Sequence, residues 1–348
     1  MFLVSALAQG PAAVALGSLL PPPARLIAPW ALPLGMVLLC RGRIRLTIDD
    51  RPIGRARRLF EECFYAYWSG SLVALLLFLA GLPLAALGWV PVSVVAAATL
   101  ALGVLVWIFG TLSRPRRSSL RELELARGGV AAELDGLSIA HWSDLHIGSV
   151  TPPERIDGWR ARTARLAPDL LVLTGDFATT GTRFHGVIAE RLGLLRAPHG
   201  VFAVLGNHDN FGEDLPLARA LREAGIALLM NERRELTVRG VAVDVVGVDD
   251  HYTGRADPSR AMDARRPGAF CLALVHNPKA FPDLADRGAD LVLAGHTHWG
   301  QLAVPGFPRK NLAATLFRYS AGLYRRSSAA LWVHPGLGAT GLPLRLGA

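Results

Sequence analysis

The chain has 348 residues, of which 51% are hydrophobic, and its 37 basic against 28 acidic side chains give a formal net charge of +9. This length allows about two domains, and a mean hydropathy of +0.32 argues against an ordinary soluble enzyme, so part of the chain is expected in lipid. The chain lacks the long basic tail and the basic–aromatic pattern of nucleic-acid-binding proteins, which favours a membrane surface and an anionic substrate. Three widely spaced cysteines argue against a disulfide framework and a cysteine zinc site.

The first 112 residues are predicted to form an all-α transmembrane region with about four apolar spans arranged as two hairpins. Phe2–Leu20 and Leu26–Cys40 would make the first hairpin. Because each stretch is near the lower length limit for spanning and contains Gly or Pro, a re-entrant or interfacial pair is the alternative. Ser71–Trp89 and Val92–Leu112 are nearly free of charge and are the strongest spanning candidates.

Clusters of arginine flank the second hairpin, at Arg41–Arg58 and at Arg114–Arg121. Two spans return the chain to the same side, and the positive-inside tendency places both clusters and everything after Leu112 in the cytoplasm. Arg57-Arg58-Leu59-Phe60 weakly resembles a twin-arginine export signal, which would invert this orientation, but it lies deep in the chain. The cytoplasmic orientation is therefore preferred.

From about Leu120 onward, short apolar runs alternate with amphipathic, arginine-rich segments, which predicts strands joined by helices in an α/β domain. Polar side chains follow five of these runs, which are Leu137–Ala140, Leu170–Leu173, Val201–Leu205, Phe270–Val275 and Leu291–Ala294. Bounded in this way, the runs are typical of strands that are buried on both faces. The polar side chains that could bind metal are Asp144, His146, Asp176, Asn207, His276, His296 and His298.

These seven side chains offer carboxylate, imidazole and amide groups but no thiolate, a mixture that suits manganese, iron or zinc in a catalytic site. Seven ligands are too many for one catalytic ion with an open position. They fit two ions that lie about 3.5–4 Å apart and share one bridging carboxylate. Two such ions can clamp a phosphoryl group and lower the pKa of a bridging water. Each motif alone is weak evidence, but all five in this order are strongly specific.

The motifs Asp144-Leu145-His146, Gly175-Asp176, Gly206-Asn207-His208-Asp209, His276-Asn277 and Gly295-His296-Thr297-His298 together resemble the calcineurin-like metallophosphoesterase superfamily. The sequence is most similar to its bacterial membrane-associated branch, called YkuE-like, which includes enzymes resembling UDP-2,3-diacylglucosamine pyrophosphohydrolases. The resemblance covers roughly Leu137 to the C-terminus and implies a four-layer α/β/β/α sandwich with metals at the strand ends. The expected domains are a membrane region at 1–112, a basic linker leading into the first strand at 113–136, and a metallophosphoesterase domain at 137–348.

The resemblance also implies a role for each ligand residue. The first ion would be held by Asp144, His146, Asp176 and His298, and the second by the bridging Asp176 together with Asn207, His276 and His296. His208 would contact the scissile phosphate, where it could stabilise developing charge or protonate the leaving oxygen. Asp209 would hydrogen-bond His208 and set its tautomer. A metal-bridging hydroxide would be the in-line nucleophile.

The sequence departs from the patterns of this superfamily at three places. Gly175-Asp176 is not followed by the arginine-containing motif of phosphoprotein phosphatases, which removes support for phosphoserine as a substrate. Trp299 stands where the YkuE-like branch usually has glycine, so it is expected to narrow the pocket or to offer a stacking face. His334-Pro335 stands where a Ser-Arg pair is common, so an anion-binding arginine is missing there. His185 and His199 are expected at the surface.

The preferred hypothesis is a membrane-anchored, two-metal phosphodiesterase or pyrophosphohydrolase, with manganese ahead of iron or zinc, acting on a lipid-linked phosphate such as UDP-diacylglucosamine. One alternative is a phosphodiesterase or phosphatase for soluble nucleotides. Another is a catalytically inactive membrane scaffold, although the complete ligand set argues against it. The expected location is the bacterial inner membrane, multi-pass, with the catalytic domain in the cytoplasm. Membrane lipids and the phosphorylated substrate are the expected partners, without nucleic acid, and the oligomeric state is left open.

Overall fold

The computed structural model describes residues 2–48, 54–112, 120–126, 130–148, 151–210, 214–263, 265–301, 303–304 and 306–338. The chain divides into two compact units. The first unit contains the described residues up to 112, and the second contains those from 120 to 338.

The described part of the first unit is helical. Its helices are α1 Phe2–Leu7, α2 Gly10–Leu19, α3 Pro22–Ile48, α4 Arg55–Ala86 and α5 Val92–Leu112. Leu59–Ala86 and Val92–Phe109 are long and apolar enough to cross a membrane, judged by length and composition. The apolar stretches Leu3–Leu19 and Pro23–Leu39 are shorter than such a span. The structure thus provides two candidate spans where the second hairpin is expected, and spanning by the first hairpin stays a prediction.

Helices α4 and α5 approach each other closely at small residues. A Cβ atom on Gly103 would lie 2.6 Å from the carbonyl oxygen of Gly70 and 2.8 Å from the Cβ of Ala74. Farther along the pair, a Cβ on Gly81 would lie 2.6 Å from Cγ1 of Val95. Small residues at an interface let two helix backbones come near each other, which is how apolar helices gain packing contacts in lipid.

The α1 and α2 region is tied to α4 by two buried polar contacts. The hydroxyl of Tyr67 donates to Oε1 of Gln9 at 2.7 Å, and Nε1 of Trp68 donates to Oγ of Ser5 at 2.7 Å. Ser5 and Gln9 are almost fully buried. These contacts join residues about 60 positions apart in the sequence, so the N-terminal helices pack against α4.

The second unit contains two main sheets and five helices among its described residues. The strands are β1 Ile139–Trp142, β2 Leu170–Thr174, β3 Val201–Val204, β4 Ala227–Leu228, β5 Glu232–Val238, β6 Val241–Gly247, β7 Phe270–Leu274, β8 Leu291–Ala294, β9 Ala303–Val304, β10 Phe307–Asn311, β11 Gly322–Arg326 and β12 Ala329–Val333. The helices are α6 Glu154–Leu166, α7 His185–Leu192, α8 Asp214–Glu223, α9 Pro258–Met262 and α10 Phe281–Asp286. Short 3-10 turns include His298–Gly300 and Leu312–Thr315.

The first sheet has the order β1-β2-β3-β4 and is parallel throughout. The second has the order β11-β12-β8-β7-β6-β5, in which the four central strands are parallel and the two outer strands are antiparallel to their neighbours. Strands β9 and β10 form a separate antiparallel ribbon. The unit is therefore a mixed α/β fold, as the alternation of apolar and amphipathic segments predicts.

Three clusters of buried apolar side chains surround these sheets. Within β2, Leu171 and Leu173 pack with the buried faces of α6, α7 and α8, whereas Leu170 and Val172 share a cluster with residues of the second sheet. A third cluster joins the second sheet to α9 and α10. Alternating side chains on one strand point to opposite faces, so β2 is buried on both sides, which confirms the prediction from its uninterrupted apolar run.

The outer strands of the second sheet and the β9–β10 ribbon are absent from the sequence predictions in whole or in part. β10 reads Phe-Pro-Arg-Lys-Asn, and β11 ends in two exposed arginines. These segments have neither a continuous apolar run nor a regular alternation, because one or both of their faces meet solvent. Sequence periodicity carries little information about such strands.

Candidate metal centre

All seven predicted ligand residues lie just beyond the carboxyl ends of parallel strands. Asp144 and His146 follow β1, Asp176 follows β2, and Asn207 follows β3; the remaining three follow β7 and β8, and are His276, His296 and His298. Parallel strands within one sheet bring their carboxyl ends to a common edge. The two sheets share a core, so their carboxyl ends bring the seven side chains together.

Asp144, His146 and His298 form the first group. All three are buried, and each offers a ligand atom within 4.8 Å of the others. Nε2 of His298 lies 3.1 Å from Oδ1 of Asp144 and 2.9 Å from Nε2 of His146. The ligand atoms of these three residues therefore converge on one point, where they could hold an ion.

Asp176 connects the first group to the second. Its Oδ2 lies 3.4 Å from Nε2 of His146 and 3.3 Å from Nε2 of His276. Nδ1 of His296 lies 3.2 Å from Nε2 of His276 and 3.0 Å from Oδ1 of Asn207. One carboxylate is therefore in contact with a histidine from each of the two predicted ligand sets.

The donor set fits divalent metal ions. It combines carboxylate oxygen, amide oxygen and imidazole nitrogen, which are the ligands of catalytic transition-metal sites. Nδ1 of His146 is buried and has no hydrogen-bond partner among the described residues, and its Nε2 faces only other ligand atoms. A buried polar atom without a partner costs free energy, and coordination of a cation by Nε2 and the neighbouring ligand atoms would offset that cost.

The backbone at these ligands is unusual. Positive φ angles, in the left-handed region, occur at Asp144, His146, Asp176, His296 and His298, with values between 45° and 72°. Residues other than glycine seldom adopt this conformation, and each instance costs on the order of 1–3 kcal/mol. Such strain accumulates at functional sites, so it marks the ligand loops independently of their side chains.

Gly206 shows how closely the loops approach one another. A Cβ atom there would overlap Oδ1 of Asp176 and would lie 2.8 Å from Nδ1 of His276. That nitrogen in turn lies 2.7 Å from the carbonyl oxygen of Thr174, which fixes the orientation of the His276 ring. Only glycine leaves room for the β3 loop to pass beside the ligands that follow β2 and β7.

Comparison with known proteins agrees with this geometry. The family profile described as calcineurin-like phosphoesterase matches residues 137–300. The metallophosphoesterase YkuE of Bacillus subtilis, itself uncharacterised, is 30% identical over 215 residues, which cover 61% of this chain and 75% of that protein. The chain belongs to the calcineurin-like phosphoesterase family. It is accordingly a metal-dependent hydrolase of phosphoric ester bonds.

Two further relatives carry more informative names. UDP-2,3-diacylglucosamine pyrophosphatase LpxG of Chlamydia muridarum is 27% identical over 301 residues, covering 69% of this chain and 90% of that protein. A transmembrane protein with a metallophosphoesterase domain from Bos taurus is 28% identical over 257 residues, and this chain spans 57% of its length. Together with the two apolar helices, these relatives indicate association with a membrane.

In this phosphoesterase the loop after β3 carries His208 and Asp209, and their contacts differ from those expected. Nδ1 of His208 lies 2.7 Å from the carbonyl oxygen of Thr179, so this nitrogen carries the proton and the carbonyl sets the tautomer. The carboxylate of Asp209 is turned toward the backbone, where it accepts hydrogen bonds from the N–H groups of Phe177, Ala178 and Gly206. Asp209 therefore stabilises the loops that follow β2 and β3. The carbonyl of Thr179 orients the His208 ring, which is the role predicted for Asp209.

Among the candidate ligands, His276 is the histidine whose protonated form is stabilised by its neighbours. Burial lowers the pKa of His276, but the charge of Asp176 outweighs it and raises this pKa to about 10. Burial raises the pKa of Asp176, but His276 and His146 hold it below its ordinary value. Burial and the neighbouring His276 lower the pKa of His296 to about 4. Burial also keeps the pKa of His146 well below its ordinary value.

Two aromatic residues at the rim of the site are missing from the sequence predictions. The ring of Tyr252, an exposed residue, lies with its centroid 5.3 Å from that of His296. Phe317 packs edge-on against His296 with a centroid distance of 5.2 Å. Single aromatic residues in loops give no periodic signal, so the three-dimensional structure was needed to find them.

Trp299 does not offer a stacking face to a substrate, contrary to the expectation. Its side chain is almost fully buried, and its Nε1 donates to the carbonyl oxygen of Val333 at 2.8 Å. The guanidinium of Arg121 lies 4.5 Å from its ring centroid. His185 is likewise buried at the start of α7, not exposed, whereas His199 is partly exposed. A local sequence pattern does not show whether a loop residue faces the core.

Proposed function

We propose that this protein is a membrane-anchored binuclear phosphoesterase that hydrolyses a phosphodiester or pyrophosphate bond in a lipid-linked substrate such as UDP-diacylglucosamine. The observation that carries the proposal is the position of Asp176, whose Oδ2 lies 3.4 Å from a histidine of one group and 3.3 Å from a histidine of the other. A carboxylate in that position is suited to bridging two ions. The chlamydial relative is named for a pyrophosphatase of UDP-2,3-diacylglucosamine, and the similarity extends over 90% of its length, which supports this class of substrate.

The proposal assigns the ligands to two ions, with manganese as the first choice and iron or zinc as alternatives. Asp144, His146, Asp176 and His298 would hold one ion, in agreement with the compact first group. Asp176, Asn207, His276 and His296 would hold the other, in agreement with the chain of contacts at 3.0–3.3 Å that joins them.

When bound, two divalent ions would supply a hydroxide nucleophile and two positive charges on the phosphoryl oxygens. His208 contributes a ring nitrogen within 4.8 Å of the ligand atoms of His146 and Asp176. Since its Nδ1 donates to Thr179, Nε2 is the nitrogen that can donate a proton or a hydrogen bond to the leaving oxygen. Asp209 holds the loop that carries Asp176 against the loop that carries His208, through its three hydrogen bonds to backbone N–H groups.

The proposal also includes an architecture and a topology. The catalytic domain, residues 137–348, would be a four-layer α/β/β/α sandwich, which the three core clusters support. The membrane region, residues 1–112, would be multi-pass in the bacterial inner membrane, and the basic linker 113–136 would keep the catalytic domain in the cytoplasm. The two candidate spans and the arginines on both sides of them support this arrangement.

The test is turnover of bis-p-nitrophenyl phosphate against p-nitrophenyl phosphate by the detergent-solubilised chain with added manganese. The expected result is diester cleavage that falls at least about 100-fold in Asp176→Asn, since even residues that only orient metal ligands cost 10–100-fold. Asp286→Asn is the matched control, because Asp286 is exposed and pairs with Arg326. UDP-diacylglucosamine would be the next substrate.

Other outcomes select among the alternatives. A preference for the monoester would indicate a phosphatase. Faster turnover of soluble nucleotides than of UDP-diacylglucosamine would indicate a soluble substrate, with the membrane serving only to localise the enzyme. Turnover that is equal in Asp176→Asn and in the parent chain would contradict the proposed bridge. Absence of any metal-dependent turnover, including that of UDP-diacylglucosamine, would favour the inactive scaffold.

A further inference from the structure

The C-terminal part of the catalytic domain has a one-sided charge. After Asp290 the sequence contains no aspartate or glutamate, and its basic residues are Arg309, Lys310, Arg318, Arg325, Arg326 and Arg345. Apolar residues are interleaved with the first three of these. Basic residues mixed with large apolar ones, in the absence of acidic residues, are typical of segments that contact anionic lipid.

The structure places Arg309, Lys310 and Arg318, together with the apolar residues around them, on one exposed element, which we call the ribbon surface. It consists of β9, β10 and the turn after them, residues 303–304 and 306–318. Its apolar side chains are 47% exposed at Val304, 58% at Phe307, 61% at Leu312 and 82% at Leu316. Concentration of large apolar side chains in one exposed segment indicates an interaction site, because scattered single residues are the norm elsewhere.

The cations of the ribbon surface are available to an anionic partner. Arg309, Lys310 and Arg318 are exposed, and within the described residues none of them forms a salt bridge. Arg309 and Lys310 instead lie against aromatic rings, at 4.4 Å from the centroid of Tyr324 and 5.1 Å from that of Phe307. These contacts hold the charges beside the apolar side chains without neutralising them.

The ribbon surface is held in place by the domain beneath it. Oδ1 of Asn311 accepts a hydrogen bond from the backbone N–H of Ala314 at 2.8 Å, and its Nδ2 donates to Oγ of Ser320 at 3.1 Å. Ala313 is buried, and its backbone nitrogen would lie 2.6 Å from a Cβ on Gly300, in the turn that begins at the ligand His298. The exposed apolar side chains therefore project from a fixed support.

The ribbon surface is continuous with the metal centre. Phe317, its penultimate residue, packs against the ligand His296, and the most exposed leucine, Leu316, directly precedes it in the chain. A partner that covers Leu316 therefore lies next to the ligands. A surface that only anchored the domain would not need to lie beside the candidate metal ligands. Its position there suits a surface from which the substrate enters the site.

We propose that the ribbon surface docks the catalytic domain onto an anionic lipid bilayer, with Val304, Phe307, Leu312 and Leu316 among the upper acyl chains and the three cations at lipid phosphates. Charge complementarity selects the bilayer over a second copy of this chain, since two such surfaces would bring like charges together. The docking does not depend on hydrolysis. Its use in presenting a lipid-linked phosphate to the metals rests on the proposed function.

The test uses the full chain with Cys40→Ser, Cys63→Ser and Leu316→Cys, labelled with an NBD fluorophore and reconstituted in vesicles of phosphatidylcholine with about 30% phosphatidylglycerol. The native Cys271 is buried with its pKa raised to about 11, so it does not compete for the label. The expected result is a blue-shifted emission that is quenched at least about twofold by lipid spin-labelled near the headgroup. The same label at Leu194→Cys, an exposed leucine elsewhere on the domain, is the control and should stay unquenched.

Each other outcome would overturn the docking proposal. A water-like emission at position 316 would show that no partner covers the surface. A blue-shifted emission without quenching by spin-labelled lipid would show that protein, such as a second copy, covers it. Equal quenching in vesicles of phosphatidylcholine alone would show that the cations do not select anionic lipid.

A kinetic experiment separates this proposal from the proposed function. Phe307→Asp combined with Leu316→Asp should lower turnover of a vesicle-borne lipid substrate at least about tenfold and leave turnover of bis-p-nitrophenyl phosphate within about twofold. Leu194→Asp with Leu215→Asp, two exposed leucines elsewhere, is the matched control. If the parent chain cleaves the soluble diester but not the lipid, the substrate assignment fails while the quenching experiment still decides the docking.

Discussion

Two energetic costs occur together at the candidate ligand residues. Their backbone is left-handed at five positions, and their side chains include a buried imidazole, that of His146, with an unsatisfied nitrogen. Strain and unsatisfied polar groups each cost on the order of 1–3 kcal/mol. Such costs are tolerated where the surrounding structure holds the backbone in place, and here the loops follow strands that are buried in two apolar clusters.

Metal binding should release a proton from His276. Its pKa of about 10 in the metal-free protein keeps it charged at neutral pH, and coordination at Nε2 requires the neutral ring. Apparent metal affinity should therefore rise by about tenfold per pH unit below pH 10 for this one proton. Isothermal titration calorimetry of the metal-free chain, in buffers with different enthalpies of ionisation, counts the protons released.

His296 provides the internal contrast to that prediction. Its pKa of about 4 means that it is already neutral at pH 7, so it should add no proton to the count. Proton release should accordingly decrease by about one in His276→Gln and remain unchanged in His296→Gln. A heat of binding that is independent of the buffer would contradict the charged state of His276.

Replacement of Asp209 by asparagine should weaken metal binding without removing a ligand. The carboxylate accepts three backbone hydrogen bonds, and an amide group would turn a donor toward at least one of those N–H groups. The expected loss is about 1–3 kcal/mol in the free energy of unfolding and about 10–100-fold in metal affinity. Chemical denaturation and metal titration of Asp209→Asn measure the two effects; Asp283→Asn, at an exposed site, should change neither.

At this scale the sequence allowed seven candidate ligand residues to be named, and the structure brings them together, because their spacing after apolar runs is visible in one dimension. It did not predict the partner of His208, since the carbonyl of Thr179 belongs to the backbone and has no residue identity to recognise. It also did not show that Trp299 faces inward, because the direction of a loop side chain depends on the strands around it.

Among the elements, the hairpin of α4 and α5 depends on close contact between glycines. Gly103→Leu should force these helices apart, because even a Cβ there would lie within 3 Å of Gly70 and Ala74. The expected result is an apparent Tm lower by several degrees in detergent, or loss of a monodisperse preparation. The rate of thiol labelling during heating measures the unfolding of each unit separately, because Cys63 lies in the first unit and Cys271 in the second.

Gly35→Leu is the matched control, because Gly35 lies in the apolar helix α3 and a Cβ there meets nothing within 4 Å. Its Tm should equal that of the parent chain. A Gly103→Leu protein that unfolds like the control would show that the two helices do not need their close approach.

The elements also show which patterns carry structural information. The apolar runs that became β2, β7 and β8 were predicted within one or two residues, because burial on both faces demands an uninterrupted run. The ribbon β9–β10 was missed, because most of its residues face solvent and not the core. The segment for which a partner is now proposed is thus one that core-based patterns could not detect.

For the whole molecule, removal of metal should reverse the dependence of stability on pH. In the metal-free protein the pKa of His276 is raised to about 10, above about 6.5 for an unfolded histidine. Its stabilisation is therefore complete below about pH 6.5 and is lost as the pH rises through about 10. Burial raises the pKa of Asp209 to about 7, above about 3.9 when unfolded, so its buried charge destabilises increasingly from about pH 4 to about pH 7.

Both groups predict that the chelated protein loses stability as the pH rises from about 6 to about 9. With manganese present the slope should be opposite at the lower end, because binding requires deprotonated ligands and stabilises the native state by about 2.7 kcal/mol at 100 times its dissociation constant. Thermal unfolding at several pH values, with chelator and with manganese, compares the two slopes. Parallel curves would contradict the proton balance at the site.

The order of the ligands along the chain constrains how the enzyme is made in the cell. His146 and His298, whose ring nitrogens lie 2.9 Å apart, are separated by 152 residues. During synthesis the apolar helices emerge first, then Asp144 and Asp176, and the last two histidines emerge only after six further strands. Metal capture must therefore wait until translation has passed His298, and a ribosome that stalls earlier leaves a nascent chain that carries the apolar helices but no complete site.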